Sequence, residues 1–324
     1  FYMAGTIHNN VGFKAQYDFE DGDAGFKDVY ISLDTGAGTW TVGHHYEPFG
    51  LEVQTSSKYM TFMERSVAAQ ISPDRNTGLS LENEIADRWN VRVGVFRESD
   101  DHGNDTGNAG AGEWALTGRV AGAAWEDAEN QQLLHLGVSA SMRSEPEGTN
   151  SVGLPDELSR VRVRGAQHLS TRFGDTGTFA VDGDTTMLGL EAAFVSGPFH
   201  VQGEYVTKAY DTPAGDFDAD AYAIEAGWFL TGESRKYKSD NFDRVTPNSS
   251  YGDEDGIGAW QIAVRYDDID LDDGPIAGGG MDQVTVGLNW HINPNTRVMW
   301  NYAAIDIADL GDVDYYGVRF QIDF

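Results

Sequence analysis

The sequence predicts an all-β fold, a transmembrane antiparallel β-barrel of about 16 strands with one loop folded into its lumen. Three observations predict it: apolar residues recur at every second position, short turns alternate with long polar loops, and long apolar runs are absent. A period of two gives a strand one apolar face and one polar face. With lipid on the apolar face and water on the polar face, such a strand spans a membrane as part of a barrel.

The C-terminal strand has the clearest alternation. Tyr316, Val318, Phe320, Ile322 and the terminal Phe324 are apolar, and polar residues or glycine lie between them. A strand that ends on a terminal aromatic residue resembles the closing strand recognised by the outer-membrane assembly machinery. The last strand of a soluble sandwich would alternate in the same way, so the other segments of the chain are needed to distinguish a membrane barrel from a sandwich.

Composition fits a barrel with long polar loops. The chain has 324 residues, a formal charge of −30 and 39 glycines, but no cysteine. Because no run of about 18 apolar residues exists, the sequence predicts no transmembrane helix. Barrel strands can still cross a membrane, since their alternating residues never form a long apolar run. The lack of cysteine excludes disulfides and thiolate metal sites, and the negative charge argues against nucleic acid as a partner.

Fifteen segments carry the alternation. They are predicted at residues 1–8, 11–20, 26–34, 38–46, 76–85, 89–99, 113–125, 130–143, 184–196, 198–211, 219–232, 255–269, 281–292, 296–308 and 312–324. Single-chain bacterial barrels have even strand numbers, and the chain begins inside a strand-like pattern without a signal peptide. We therefore expect residues 1–324 to form one N-terminally incomplete barrel that lacks its first strand. Sixteen strands would enclose an aqueous channel.

The connections are of two lengths. Short turns are predicted around residues 9–10, 196–198 and 293–295, and long acidic loops at 100–112, 211–220, 233–256 and 270–280. Short turns at one end and long loops at the other are typical of bacterial outer-membrane barrels. Aromatic residues near strand ends suit the interfacial girdles of such a barrel, although in a soluble sandwich they would be core. These residues are Trp89, Trp228, Trp260, Trp290 and Tyr205.

The segment 47–76 does not fit as a strand or as a solvent loop. It carries large apolar residues, among them Leu51 and Phe62, beside the basic Lys58 and Arg65. A loop that folds into the barrel and packs on its inner wall would use such residues, and it would present its charges to a permeating ion. Packing on a neighbouring subunit is the alternative. The first interpretation makes this segment a constriction loop.

A basic stripe stands out in the acidic chain. Arg160, Arg162 and Arg164 alternate with valines, and His168 and Arg172 follow. Arginines at every second position share one face of an extended segment, about 6.5–7 Å apart. Guanidinium groups bind phosphate and carboxylate oxygens in a planar fork, and rings of basic residues select anions in channels. The sequence thus predicts an anion ladder in the loop 156–182, unless the stripe is a solvated face neutralised by nearby acids.

Net charge does not set selectivity, since charges more than about 8–10 Å away in a wet loop are largely screened. The acids cluster in loops, but both signs are predicted to face the lumen, which weakens the case for strict selectivity. The predicted inward residues are Lys14, Arg92, Arg119, His135, Arg143, Arg265, Arg297, Arg319, Asp18, Glu191, Glu204, Glu225 and Asp267. The acidic loops could bind Ca²⁺ or Mg²⁺, or they are simply solvated. No catalytic arrangement emerges, because paired carboxylates occur throughout the chain.

Several stretches together resemble the phosphate-selective porins, the family of porins O and P from Gram-negative outer membranes. They are residues 47–52 with 55–58 and 63–65, residues 230–233 with Arg235 and Tyr237, residues 258–260 with Arg265 and Tyr266, and residues 286–290 with Asn293, Asn301 and Tyr302. The resemblance implies a sixteen-stranded trimeric barrel with one pore per subunit. It places residues 47–66 in the constriction loop and Arg160, Arg162 and Arg164 on an extracellular ladder, with further ladder arginines in the missing N-terminal part.

One position departs from the family. Where well-known members carry an anion-binding lysine, directly after the Leu-Glu pair, this chain has Val53, while Lys58 and Arg65 remain. The departure speaks against a high-affinity phosphate site more than against general anion passage. A second match is Asp28, which could accept the proton of a protonated phosphate or orient a lysine. It could equally be an ordinary lumen acid paired to a base.

The leading hypothesis is a passive channel, not an enzyme, for phosphate or polyphosphate in the outer membrane of a Gram-negative bacterium. The anion pathway would comprise Arg160, Arg162, Arg164, Lys58, Arg65 and Asp28. We expect outer-membrane lipid, lipopolysaccharide and two further copies of the chain as partners, and no cofactor apart from calcium at the acidic loops. An unselective porin, or a barrel whose acidic loops serve binding or surface structure, are the alternatives.

Overall fold

A computed structural model describes residues 1–19, 24–86, 88–100, 102–103, 114–145, 147–149, 155–165 and 171–323. Fifteen strands form one antiparallel sheet in which each strand pairs with the next one along the barrel wall. The barrel strands are β1 Tyr2–Ile7, β2 Val11–Asp18, β3 Gly25–Thr35, β4 Gly38–Tyr46, β5 Arg75–Ile85, β6 Trp89–Arg97, β7 Ala115–Asp127, β8 Gln132–Arg143, β14 Thr185–Ser196, β15 Phe199–Tyr210, β16 Phe217–Phe229, β19 Ala259–Asp273, β20 Ile276–Asn293, β21 Thr296–Ile307 and β22 Gly311–Ile322.

The remaining elements are short and belong to the connections. They are α1 Leu51–Gln54, α2 Val67–Ile71, β9 Glu147–Thr149, β10 Pro155–Ser159, β11 Arg162–Arg164, β12 Arg172–Asp175, β13 Phe179–Ala180, β17 Tyr237–Lys238 and β18 Asn241–Phe242. Within the described residues, neither helix is long and apolar enough to cross a membrane. All fifteen predicted strands are present, with shifted ends.

The sheet buries its polar face and exposes its apolar face. On β19, Ile262 and Val264 are each 46% exposed, whereas the alternate residues Arg265 and Asp267 are 1% and 0% exposed. Tyr2 on β1 and Asp323, directly after β22, line the same cavity. Apolar side chains therefore face outward around a polar lumen, the arrangement that lipid as the outer solvent requires.

The strand ends separate into a turn end and a loop end, as the alternation of connections predicts. The turn end carries connections such as 8–10, 197–198 and 294–295, and the loop end carries 47–74, 98–114 and 144–184. Two predictions about the loops are wrong. Residues 270–280 are mostly strand, because β19 and β20 extend to a turn at Gly274 and Pro275, and residues 230–258 lie at the turn end. The predicted loop at residues 100–112 lies almost entirely outside the described residues.

Aromatic residues mark both borders of the apolar band. Near the turn end, Trp260 stacks on Trp290 with ring centroids 5.2 Å apart and on Trp300 at 6.4 Å. Towards the loop end, Tyr222 and Tyr266 contact each other at 5.9 Å on neighbouring strands. The six residue steps from Trp260 to Tyr266 correspond to about 20 Å of strand, close to the height of an outer-membrane apolar band.

The C-terminal strand β22 follows the same rule, with Tyr316, Phe320 and Ile322 turned outward and 73–79% exposed. It pairs along its whole length with β21, from Ile307↔Gly311 to Thr296↔Ile322. The terminal Phe324, which ends the predicted closing strand, lies outside the described residues.

Replacing Val264 by arginine tests the lipid-facing assignment. Val264 lies on the outer face between the two aromatic borders, so Val264→Arg is expected to destabilise the folded barrel in lipid by about 2–4 kcal/mol. Equilibrium unfolding in urea from lipid vesicles measures it. The control Asp272→Arg lies at the loop-end rim of the same face and should change stability by less than about 1 kcal/mol. Equal costs at the two positions would contradict the assignment.

Candidate functional site

Residues 47–74, between β4 and β5, run inside the barrel and are fastened to one half of its wall. The carboxylate of Glu204 on β15 accepts hydrogen bonds from the backbone N–H groups of Leu51 at 3.0 Å and Glu52 at 2.7 Å. Asp267 on β19 accepts the N–H of Val67 at 3.2 Å. These carboxylates satisfy the free N–H groups at the starts of α1 and α2.

Three wall arginines hold carbonyl groups of the same loop. Arg265 donates to Glu64 O at 2.9 Å, Arg297 to Met60 O at 2.7 Å, and Arg319 to Met63 O at 3.0 Å. The alternation correctly placed these arginines inside the barrel. Their guanidinium groups bind the loop backbone, so they anchor the loop rather than face the open lumen.

The apolar residues of the loop explain why it leaves the solvent. Phe49 and Val67 are fully buried in one cluster with Ala221 and Ala223 of β16. The wall offers space for them through small residues: a Cβ on Gly189 of β14 would lie 2.8 Å from the Phe49 ring. Loop 47–74 is thus packed and hydrogen-bonded on the wall formed by β14–β22.

A second segment, residues 230–258, enters the lumen from the turn end. Buried Asp240 pairs with Arg119 of β7, and with Arg92 of β6 at 3.0 Å. Arg119 also binds Glu191 of β14 at 2.6 Å. Phe242 joins a buried cluster with Leu51, so the two inward segments meet in the lumen.

Sequence reasoning missed this second segment, although the same signal was present. Tyr237, Phe242 and Val245 interrupt its polar residues as the apolar residues of the first loop do. Its acids, counted as evidence for a solvated loop, include Asp240, which is 1% exposed and held by arginines. An acidic residue beside buried aromatics indicates an internal partner, because charges are rarely buried unpaired.

The two segments leave open the side of the lumen next to β1–β6. A cavity of about 940 Å³ lies there, between this wall and loop 47–74. Four basic side chains line it, and three acidic ones. The basic residues are Lys14, Lys58, Arg75 and Arg92, and the acidic residues are Asp28, Glu82 and Asp323.

Arg75, at the start of β5, lines this cavity and was not singled out from the sequence. Its guanidinium carbon lies 3.7 Å from the centre of the Tyr46 ring, and its Nε donates to Asp28 at 2.7 Å. Asp28 also pairs with Lys14. Asp28 therefore orients two bases, one of the roles expected for it, and stacking on Tyr46 fixes the plane of the Arg75 guanidinium.

A second cavity, of about 360 Å³, lies at the loop end, and Arg75 lines it as well. Six basic side chains line this cavity against two acidic ones, Asp74 and Glu98. The basic residues are Arg75, Arg143, Arg160, Arg162, Arg172 and Lys208. Arg75 therefore borders both cavities.

The basic stripe folds as a small hairpin in which β11 pairs with β12. Val161 and Val163 are buried, and Arg160 and Arg162 point to the opposite face. Gln70 of α2 binds the backbone of Arg164 in both directions, at 2.9 and 3.2 Å. The hairpin is thus docked on loop 47–74 with its arginines on one face, as the alternation predicts, while His168 lies outside the described residues.

The arginines of this hairpin differ in their partners. Arg160 forms a forked pair with Asp175, which lowers the pKa of that carboxyl. In the described part of the chain, neither Arg162 nor Arg172 has a carboxylate in ion-pair contact. Burial, followed by the charges of Arg164 and Arg162, lowers the pKa of Arg172. Like charges clustered around Arg172 favour an anionic ligand.

The remaining candidates divide into pore and anchor residues. Lys58 is exposed in the larger cavity. Arg65 instead donates to Glu52 O and, at 3.2 Å, to Thr55 O, so it braces the loop from within. Val53, at the position of the family lysine, is 3% exposed. Among the described residues no group of three or more acids and histidines is placed to hold a metal ion. Calcium binding stays a prediction.

Comparison with known proteins gives the same family as the sequence stretches. The profile of "phosphate-selective porin O and P" matches residues 1–324. An uncharacterized protein of Caulobacter vibrioides is 31% identical over 99% of this chain and 66% of its own length. Porin O of Pseudomonas aeruginosa is 29% identical over 93% of this chain and 74% of its own length. The chain thus spans about two thirds to three quarters of these relatives.

Solved structures support the fold independently. In-vitro folded OmpT, an outer membrane protein of Vibrio cholerae, has a TM-score of 0.56 at 12% identity, covering 99% of this chain and 87% of its own. Its trimer form gives 0.53 at 12% identity, with 99% and 85% covered. Together with the outward apolar face and the polar lumen of the barrel, the family and structure matches show that the chain belongs to the phosphate-selective porin O and P family. It is a porin barrel of the Gram-negative outer membrane.

Proposed function

We propose that the protein conducts small anions by passive diffusion, with phosphate and polyphosphate as the favoured ions. The observation that carries this proposal is the junction at Arg75 between a strongly basic cavity and the open lumen. An anion would meet Arg162 and Arg172 first, pass Arg75, and continue along Lys14 and Lys58. Forked guanidinium groups suit the oxygens of phosphate, and the family name points to the same ion.

The positions of the acids support anion passage despite the net charge. On β19, Asp268 and Asp270 alternate with buried Asp267 and Ile269, so they point away from the lumen. Asp282 and Asp306 lie in the same outward groove at the loop end. The barrel wall, about 10 Å thick with its side chains, separates them from the route, and water at the rim screens them.

One observation favours an unselective porin instead. The larger cavity has nearly balanced charges, because Asp28 lies between Lys14 and Arg75. The reversal potential under a salt gradient in planar bilayers separates the two functions. A potential set by the anion supports the proposal, a cation preference refutes it, and a value near zero indicates an unselective pore. A barrel without conductance would serve binding or surface structure.

We propose that the protein assembles as a homotrimer embedded in outer-membrane lipid and lipopolysaccharide. The trimer form of the similar OmpT barrel supports the oligomeric state, and the outward apolar band supports lipid contact. Light scattering of detergent-solubilised protein, corrected for detergent, should give the mass of three chains. A conducting protein with the mass of one chain would contradict the trimer.

Removing the hairpin charges should lower anion preference. The variant Arg160→Gln/Arg162→Gln/Arg164→Gln is expected to reduce the anion-to-cation permeability ratio about three- to tenfold, because charge-assisted contacts to the ion are lost. The single variant Asp175→Asn should shift the ratio the other way, since it frees Arg160 from its partner.

The charge-matched control for this test is Lys27→Gln/Arg88→Gln/Arg97→Gln, which removes three positive charges from residues that line neither cavity. It should leave the reversal potential unchanged. If the hairpin variant and this control behave alike, the hairpin does not contribute to selectivity.

Two substitutions of Arg75 distinguish the effect of its positive charge from that of its planar, forked guanidinium. Arg75→Lys keeps the charge but loses the forked donors, so we expect the anion preference to persist while block of chloride current by added phosphate weakens about tenfold. Arg75→Gln should reduce both quantities. Concentration–response curves for phosphate in symmetric chloride measure the block. Phosphate block that survives in both variants at wild-type strength would exclude Arg75 from the route.

A further inference from the structure

The open lumen is unusually rich in tyrosine for a pathway of bare inorganic ions. Tyr30 of β3, Tyr46 of β4 and Tyr59 of loop 47–74 all line the cavity of about 940 Å³. All three are half-buried, so each ring keeps surface that faces the cavity. A cavity for phosphate alone would need hydrogen-bond donors but no aromatic surface.

The cations of this cavity lie against the tyrosine rings. Arg75 stacks on Tyr46 at 3.7 Å, and the Lys58 ammonium lies 5.5 Å from the centre of the Tyr59 ring. Tyr30 presents its ring beside His45, with centroids 6.0 Å apart. Its hydroxyl has no hydrogen-bond partner among the described residues. Basic groups and aromatic surface are thus adjacent both on the barrel wall, at Arg75 and Tyr46, and on loop 47–74, at Lys58 and Tyr59.

We propose that this cavity binds organic phosphate monoesters that carry a planar ring, with the phosphate on Arg75, Lys14 and Lys58 and the ring on the tyrosines. The inference rests on the proposed anion channel and names a substrate class for it. Tyr46 and Asp28 fix the plane of the Arg75 guanidinium, and its Nη1 also lies 3.6 Å from an Asp74 oxygen. A guanidinium held in one plane suits a phosphate group. The neighbouring tyrosine rings offer stacking and edge contacts to an aromatic ring.

The volume of the cavity and the presence of Val53 at position 53 agree with phosphate monoesters that carry a ring as the ligand class. Binding sites for drug-sized molecules measure about 300–1,000 Å³, and the cavity of about 940 Å³ is at the upper end of that range. Val53 turns into the packed loop rather than adding a point charge. Affinity in this chain would therefore come from adjacent ring and cation contacts, which an inorganic ion can use only in part.

Block of chloride current in planar bilayers tests the proposal with three probes: inorganic phosphate, phenyl phosphate and cyclohexyl phosphate. Phenyl phosphate should block at concentrations about two- to tenfold lower than either of the others, the gain expected from one aromatic contact. Tyr30→Leu and Tyr59→Leu should abolish that preference, so that phenyl phosphate blocks no better than inorganic phosphate in the same variant. Tyr30→Phe should keep it, because the ring remains.

Matched controls make the result specific. Tyr222→Leu, on the lipid face, should retain the preference for phenyl phosphate, and a conducting Tyr30→Phe channel shows that position 30 tolerates change. Equal block by phenyl and inorganic phosphate overturns the inference but not the anion channel, and so does equal block by the phenyl and cyclohexyl esters. Absence of block by all three probes overturns the phosphate preference of the channel itself.

Discussion

Hydrogen bonding of the inward loop to the barrel wall is the interaction on which the pore depends. A peptide segment inside a narrow lumen loses much of its water, so its N–H and C=O groups need other partners. Glu204 and Asp267 accept from the N–H groups at the starts of both helices, and Arg265, Arg297 and Arg319 donate to carbonyls between them. These wall residues lie on β15–β22, and the larger cavity lies beside β1–β6.

The charges of the lumen consequently have different roles. Arg119, with Glu191 and Asp240, forms a buried network that fixes the second inward segment. Such pairs position chain segments more than they add stability, because the cost of removing charges from water offsets much of their attraction. Lys14, Lys58, Arg75 and Arg92 line the larger cavity. Counting lumen charges is therefore a poor guide to selectivity, since Arg119, Arg265 and Arg297 are bonded to other parts of the protein.

Particular residues show how far the sequence could go. The alternation placed Arg265 and Arg297 in the interior correctly, because the face of a strand is a local property. It could not distinguish them from Arg75, since their partners Glu64 and Met60 lie about two hundred or more positions away in the chain. Residues 230–258 were assigned to the wrong end for a related reason: an acidic segment looks solvated until a buried arginine such as Arg119 neutralises it.

The sequence by itself determined the barrel, its family and the lipid-facing residues. The two-residue period of the apolar side chains and the order of turns and loops are local patterns that can be read directly from the sequence. It also determined that Arg160 and Arg162 share a face. Only the tertiary structure decided that loop 47–74 lies on β14–β22, that a second segment fills the lumen from the turn end, and that Arg75 joins two cavities. Those features arise from contacts between distant segments, whose geometry depends on how the sheet curls around both inserts.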